Sequence, residues 1–129
     1  MPDTPDYLRY TTTHTWVEII DDRTIRVGIT DFAQQELDDI VFIELPEMDR
    51  EYTRGDECAI VESVKSTSEI YCPASGNIIA INLSLEDSPG LINEDPYGEG
   101  WIFQMELTDD SDLDDLIDAD TYRELAVDD

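Results

Sequence analysis

The stretch C-A-I-V-E-S-V-K-S-T-S-E-I-Y-C, residues 58–72, holds the chain's only lysine between two apolar segments. Cys58–Val61 and Glu69–Cys72 flank Lys65 at similar distances and are built of strand-forming residues. Two such runs around a polar centre predict a β-hairpin with Lys65 at or near its tip. The centre S-V-K-S-T-S contains no Asn-Gly or Asp-Gly pair, so the type of turn stays open. Six arginines supply the other side-chain cations, which leaves Lys65 as the one side-chain primary amine. A lysine on a protruding tip offers its amine clear of the fold, where a modifying enzyme reaches it without unfolding anything. Catalytic lysines are instead desolvated to lower their pKa, and a tip flanked by Ser63, Ser66, Thr67 and Ser68 provides no such setting.

Outward from the hairpin, the chain reads as strands with short helices. Tyr7–Thr13 and Trp16–Ile20 are rich in β-formers, and Asp21-Asp22 makes a turn. Thr24–Ile29 alternates, with Ile25, Val27 and Ile29 on one face. Thr30 or Asp31 then caps a short helix, F-A-Q-Q-E-L, before Ile40–Leu45 returns to strand. Asp49–Gly55 reads as a polar connection, Asn77–Leu83 as another alternating strand, Ser84–Gly100 as a long connection, and Trp101–Leu107 as the last strand. From Thr108 onward ten of 22 residues are acidic. Ser111 is expected to cap a helix there, with Leu113, Leu116 and Ile117 on one face. Many short strands without a βαβ rhythm indicate a mainly β sandwich or barrel, and residues 1–129 read as one domain with an acidic helical tail over about 108–129.

Charge narrows the function. The 33 Asp and Glu against seven Lys and Arg give a net charge of -26. Clustered cations are absent, which argues against nucleic acid and against anionic membrane surfaces as partners. The acids are spread along the chain rather than gathered in one block. At 1 M salt the Debye length is about 3 Å, so a fold in concentrated salt tolerates their mutual repulsion. Acidic excess and scarce lysine together predict a salt-adapted, cytoplasmic protein. The polar start M-P-D-T-P-D and the lack of a long apolar run predict neither a secretory signal nor a membrane span. Cys58 and Cys72, seven residues either side of Lys65, are too few for a disulfide scaffold or a zinc site and read as small apolar strand residues.

Conventional catalysis finds little footing. The one histidine, His14 in T-T-T-H-T-W, has no serine or cysteine partner arranged for nucleophilic attack and reads as a structural residue at a sheet edge. Gly28 and Gly55 stand alone, so no phosphate-cradling loop is present. N-E-D-P-Y-G-E-G, residues 93–100, lacks the alternating acidic spacing of a calcium loop.

The blocks G-I-T-D-F-A-Q (28–34), D-I-V-F-I-E-L-P (39–46), V-E-S-V-K-S-T-S-E (61–69), S-G-N-I (75–78) and N-E-D-P-Y-G-E-G-W (93–101), taken together and in order, resemble the H protein family of the glycine cleavage system. The resemblance spans roughly residues 7–125. It implies a lipoyl/biotinyl-domain-like hybrid of barrel and sandwich with short helices and a C-terminal helix. It implies lipoate in amide linkage on Lys65, attached by a lipoylating enzyme that Glu62 helps to guide. It further implies a carrier without catalytic activity of its own. Its partners would be a pyridoxal-phosphate glycine decarboxylase, an aminomethyltransferase that hands the methylene to tetrahydrofolate, and a flavin-containing dihydrolipoyl dehydrogenase. Family residues that dock the loaded arm correspond to Thr13 and Glu69. The family's His-Glu-Trp is here His14-Thr15-Trp16, which removes one carboxylate from the arm's cleft. Two rival readings remain at this point: a relay that passes lipoate to other complexes, and an unmodified interaction module of the same fold.

Overall fold

The computed structural model describes residues 4–108 and 110–128, together with their side chains except those of residues 110–112 and 126–128. Residues 1–3 of the polar start lie outside this range. Two antiparallel sheets face each other. The larger has the order β1 (Arg9–Tyr10), β2 (Thr15–Ile19), β3 (Thr24–Ile29), β9 (Phe103–Leu107), β8 (Gly76–Ile81) and β5 (Glu51–Tyr52). The smaller consists of β4 (Ile40–Glu44), β6 (Glu57–Ser63) and β7 (Thr67–Tyr71). Helices are short: α1 (Asp31–Leu37), α2 (Ser84–Asp87), α3 (Leu91–Glu94) and α4 (Ala119–Asp128). The architecture is the mainly β barrel-sandwich hybrid that the strand rhythm and the resemblance together lead one to expect.

Alternation along the strands builds the core. Ile25, Val27 and Ile29 of β3 point inward, and Ile25 lies beside Met105 of β9, which in turn lies beside Ile78 of β8. From the smaller sheet Ile43, Val61 and Ile70 close the same core. Each such side chain contributes roughly 1.5–3 kcal/mol by leaving water. A second, smaller cluster gathers Leu8, Tyr10, Trp16, Ala119 and Tyr122 at one end of the larger sheet. Trp16 donates from Nε1 to the Pro96 carbonyl at 2.9 Å and lies across Gly28 on the neighbouring strand. A Cβ on Gly28 would stand 2.6 Å from the Trp16 ring, so the strand pair closes only over a glycine. Trp101 is half-buried with the Arg26 guanidinium 5.5 Å from its ring centroid, an aromatic at the rim rather than in the centre.

Several sequence expectations need revision. The strand expected over Tyr7–Thr13 is only Arg9–Tyr10, because Thr11–His14 turns instead. The polar connection Asp49–Gly55 contains β5, a two-residue strand paired with β8. The long connection Ser84–Gly100 folds into α2 and α3, which bury Leu85 and Ile92 completely. Four-residue helices present a single inward side chain and no readable period. In the tail, Asp110–Asp115 form a 3-10 helix in place of the expected α-helix, and the Ser111 side chain expected to cap it lies outside the described residues. Ile117 instead pairs with Tyr10 as an isolated bridge, and Leu113 and Leu116 pack on the main core. The helix begins at Ala119, where Asp118 accepts from the Thr121 N–H at 2.9 Å through Oδ1.

Candidate functional site

The hairpin is where the sequence placed it: β6 and β7 pair from Glu57↔Tyr71 to Glu62↔Thr67. Its tip is closed by one side chain. Ser63 Oγ accepts from the Lys65 and Ser66 N–H groups, each at 3.1 Å, and donates to the Ser66 carbonyl at the same distance. The Ser63 N–H donates to the Ser66 carbonyl as well, at 2.8 Å. This serine turn answers the question the missing Asn-Gly left open, because a hydroxyl here substitutes for backbone partners. The Val64 N–H donates to the Asp39 carbonyl at 3.0 Å and ties the tip to the start of β4. Lys65 is exposed on a tip that is itself fastened at three points.

Strand alternation sorts the hairpin's other side chains. Ser68 and Ile70 face inward with Val61 and Ala59, while Thr67, Glu69 and Tyr71 share the outer face with Glu62 and Ile60. Three residues beyond Lys65, Ser68 borders an open cavity of about 300 Å³. Its opposite side is made by Thr13 and His14 from the first turn, and by Phe32, Ala33, Glu36 and Leu37 from α1. Of the residues expected to dock an arm, Thr13 lines this cavity. Glu69 does not: it stands on the other face of β7, so the two are not brought to one wall. Glu62 is exposed on that same outer face, opposite Phe42 and Thr67. A larger cavity of about 450 Å³ lies at the base of the hairpin beside Arg54, Tyr71 and Cys72. It sits at the far end of β7 from Lys65, which makes the smaller cavity the better neighbour of the amine.

The wall opposite the hairpin is assembled from three distant segments. Thr11 Oγ1 accepts from the Thr13 and Thr15 N–H groups, both at 3.2 Å, and shapes the turn. His14 has φ +66°, a left-handed conformation in which histidine is among the enriched residue types. Its Nδ1 lies 2.7 Å from the Tyr122 hydroxyl, and its ring packs on Phe32 with centroids 4.7 Å apart. Thr30, fully buried, lies 2.7 Å from the same hydroxyl and also caps α1 by accepting from the Ala33 N–H at 3.1 Å. Thr15 is buried as well, at 1% exposure, so the position where the family carries glutamate turns inward in this chain. The sequence offered Thr30 or Asp31 as the cap, of which the structure uses Thr30, and His14 as structural. It did not join either to Tyr122, which is 108 residues from His14.

The remaining candidates are structural. Cys58 and Cys72 are buried and unbridged. A hydrogen bond between the two thiols and burial push the Cys72 thiol well above its ordinary range, which keeps it protonated and unreactive. Asn93 joins three elements: its Oδ1 accepts from the Ile40 N–H at 2.8 Å, and its Nδ2 donates to Gln34 Oε1 and the Asp38 carbonyl. Asn93, on α3, therefore fastens α1 to β4. Among the described residues no group of three metal-ligating side chains gathers. Among the described residues no helix is long and apolar enough to cross a membrane.

A lysine on a clasped tip beside an open cavity is the geometry of a swinging-arm carrier, and comparison with known proteins names which one. The family model for the glycine cleavage H-protein matches residues 8–129. This chain belongs to that family. Glycine cleavage H proteins are lipoyl carriers, so the chain is a carrier component and not an enzyme. It is 48% identical over 128 residues to the glycine cleavage system H protein of Alkalilimnicola ehrlichii, covering 99% of this chain and 98% of that one. A probable glycine cleavage system H protein from Haloarcula marismortui is 49% identical over 122 residues, covering 95% of each. The crystal structure of an H protein from Mycobacterium marinum superposes with a TM-score of 0.86 at 37% identity, covering 93% of this chain and 96% of that one.

Proposed function

We propose that the chain is the lipoyl-bearing shuttle of a cytoplasmic glycine cleavage system and that Lys65 is its attachment point. The observation that carries this reading is the exposed Lys65 amine on a tip fixed by Ser63, next to the cavity bordered by Ser68 and Thr13. These residues fit a lipoyl group: the amine is accessible for acylation, the tip is firm, and Phe32, Ala33 and Leu37 offer an apolar bed to a hydrocarbon chain. Lipoate held there would supply a disulfide that opens reductively as it accepts an aminomethyl group and, once that group is passed on, a dithiol that gives up two electrons to close again. The chain's own part is to present, orient and shelter. Ser63 holds the base of the arm, Thr13 offers a hydroxyl at the cavity mouth, and Glu62 and Glu69 on the outer face mark the hairpin for the lipoylating enzyme and for the arm's approach.

Three enzymes are then its working partners: a pyridoxal-phosphate glycine decarboxylase, an aminomethyltransferase and a flavin-containing dihydrolipoyl dehydrogenase. The spread of acids and the similarity to a relative from the halophile Haloarcula marismortui support a salt-adapted source. Reconstitution tests the reading. Exchange of bicarbonate with the carboxyl group of glycine should require the decarboxylase together with the lipoylated chain and vanish with Lys65→Arg. A lipoylated chain that passes its lipoate to other acceptors but supports no exchange would mark a relay instead.

A further inference from the structure

We propose that Glu36 is the residue that holds the cationic end of an amine-bearing arm in the cavity beside the hairpin; this rests on the shuttle reading above. An amine entering a partly apolar cavity loses water and needs an anionic hydrogen-bond partner in return. Seven residues line the cavity, and Glu36 is the only one of them with a carboxylate. Glu69 faces away from it across β7, and the inward-turned residue 15 is a threonine. Glu36 is also well placed. Phe32, Ala33 and Glu36 lie at i, i+1 and i+4 on one face of α1, so the carboxylate stands one turn beyond the ring and methyl group that form the apolar bed. That helix is fixed at its start by the Thr30 cap and by Phe32 packed on His14, which sets the exposed Glu36 on the rim of the cavity that Thr13 also lines. The carboxylate is uncommitted. The arginines that form ion pairs among the described residues do so with Glu18, Glu47, Asp115, Asp6 and Asp120, never with Glu36. Glu36 is therefore a positioning residue: it does no chemistry and sets where the cationic end rests.

The test uses the full chain lipoylated at Lys65, reduced, with the two arm thiols alkylated by 2-bromoethylamine. Alkylation by bromoethane gives the neutral counterpart, and NMR provides the readout. The cationic arm should shift the Glu36 carboxyl carbon and the amides of residues 32–37, while the neutral arm leaves that carboxyl unmoved. Glu36→Gln should keep the fold and the mass increment but lower the affinity of the cationic arm for the cavity about threefold, the scale of an ion pair at an exposed carboxylate. Glu69→Gln should leave docking unchanged. Equal docking in Glu36→Gln and the parent chain, or release caused by Glu69→Gln alone, overturns the proposal while leaving the carrier reading intact. A chain that its own cell leaves unmodified at Lys65 overturns both.

Discussion

The two sides of the arm cavity are built by opposite strategies. The hairpin side comes from one contiguous segment, with β6, a serine turn and β7 closed by bonds between residues two or three apart. The other side joins His14, Thr30 and Tyr122 through a single phenolic hydroxyl, over separations of 108 and 92 residues. A local unit holds its shape while the rest of the domain loosens, whereas the far wall exists only when α4 is docked. The lysine is thus presented by the robust side, and the shelter for its cargo is made by the conditional one.

Removing the tyrosine should break that contrast most strongly. Tyr122 is buried and stacks on Tyr10 with centroids 4.7 Å apart, so Tyr122→Ala should cost about 3–5 kcal/mol in denaturant unfolding. Lipoylation at Lys65 should persist in that variant wherever it remains folded. Diluting salt should come next. The stretch Asp118–Glu124 carries three acids against Arg123 alone, so hydrogen exchange in dilute buffer should open α4 before the hairpin, and molar KCl should close it again. An unchanged melting temperature between dilute and molar KCl would contradict the salt reading.

Smaller changes sharpen the comparison. Tyr122→Phe keeps the ring and deletes the hydroxyl shared by His14 and Thr30, for a loss of about 1–3 kcal/mol. It should shift the NMR signals of Thr13, His14 and Phe32 and leave those of Ser63–Ser66 in place. Ser63→Ala should do the reverse, costing about 0.5–1 kcal/mol, loosening the tip and slowing modification of Lys65 without disturbing the far wall. Acid should have the least effect. The Thr121 N–H holds the Asp118 carboxyl below its ordinary value of 3.8. The stabilisation is thus complete above that pH and is lost as the pH falls through the lower folded value. Fraying of the α4 start should follow the same course in helical circular dichroism.

What the sequence disclosed divides along the same line. The hairpin with Lys65 at its tip, the Ile25–Val27–Ile29 face and an α1 cap at Thr30 or Asp31 were all legible because each rests on neighbours within a few residues. The T-T-T-H turn was misread as strand because threonines favour strands, and nothing local announces that His14 adopts a left-handed conformation. Glu36 was invisible among 33 acids until α1 was set against the turn that carries Thr13. Glu69 was expected at the cavity from the family resemblance, whereas the two-residue period of a strand puts it on the opposite face from Ser68.

The central claim is that Lys65 exists to carry lipoate, and mass spectrometry of the intact chain purified from its own cells tests it most directly. The account predicts a single lipoyl increment on the parent chain, mapped to Lys65, and none on a well-folded Lys65→Arg variant. An unmodified parent chain, or an increment that survives in Lys65→Arg, would contradict it.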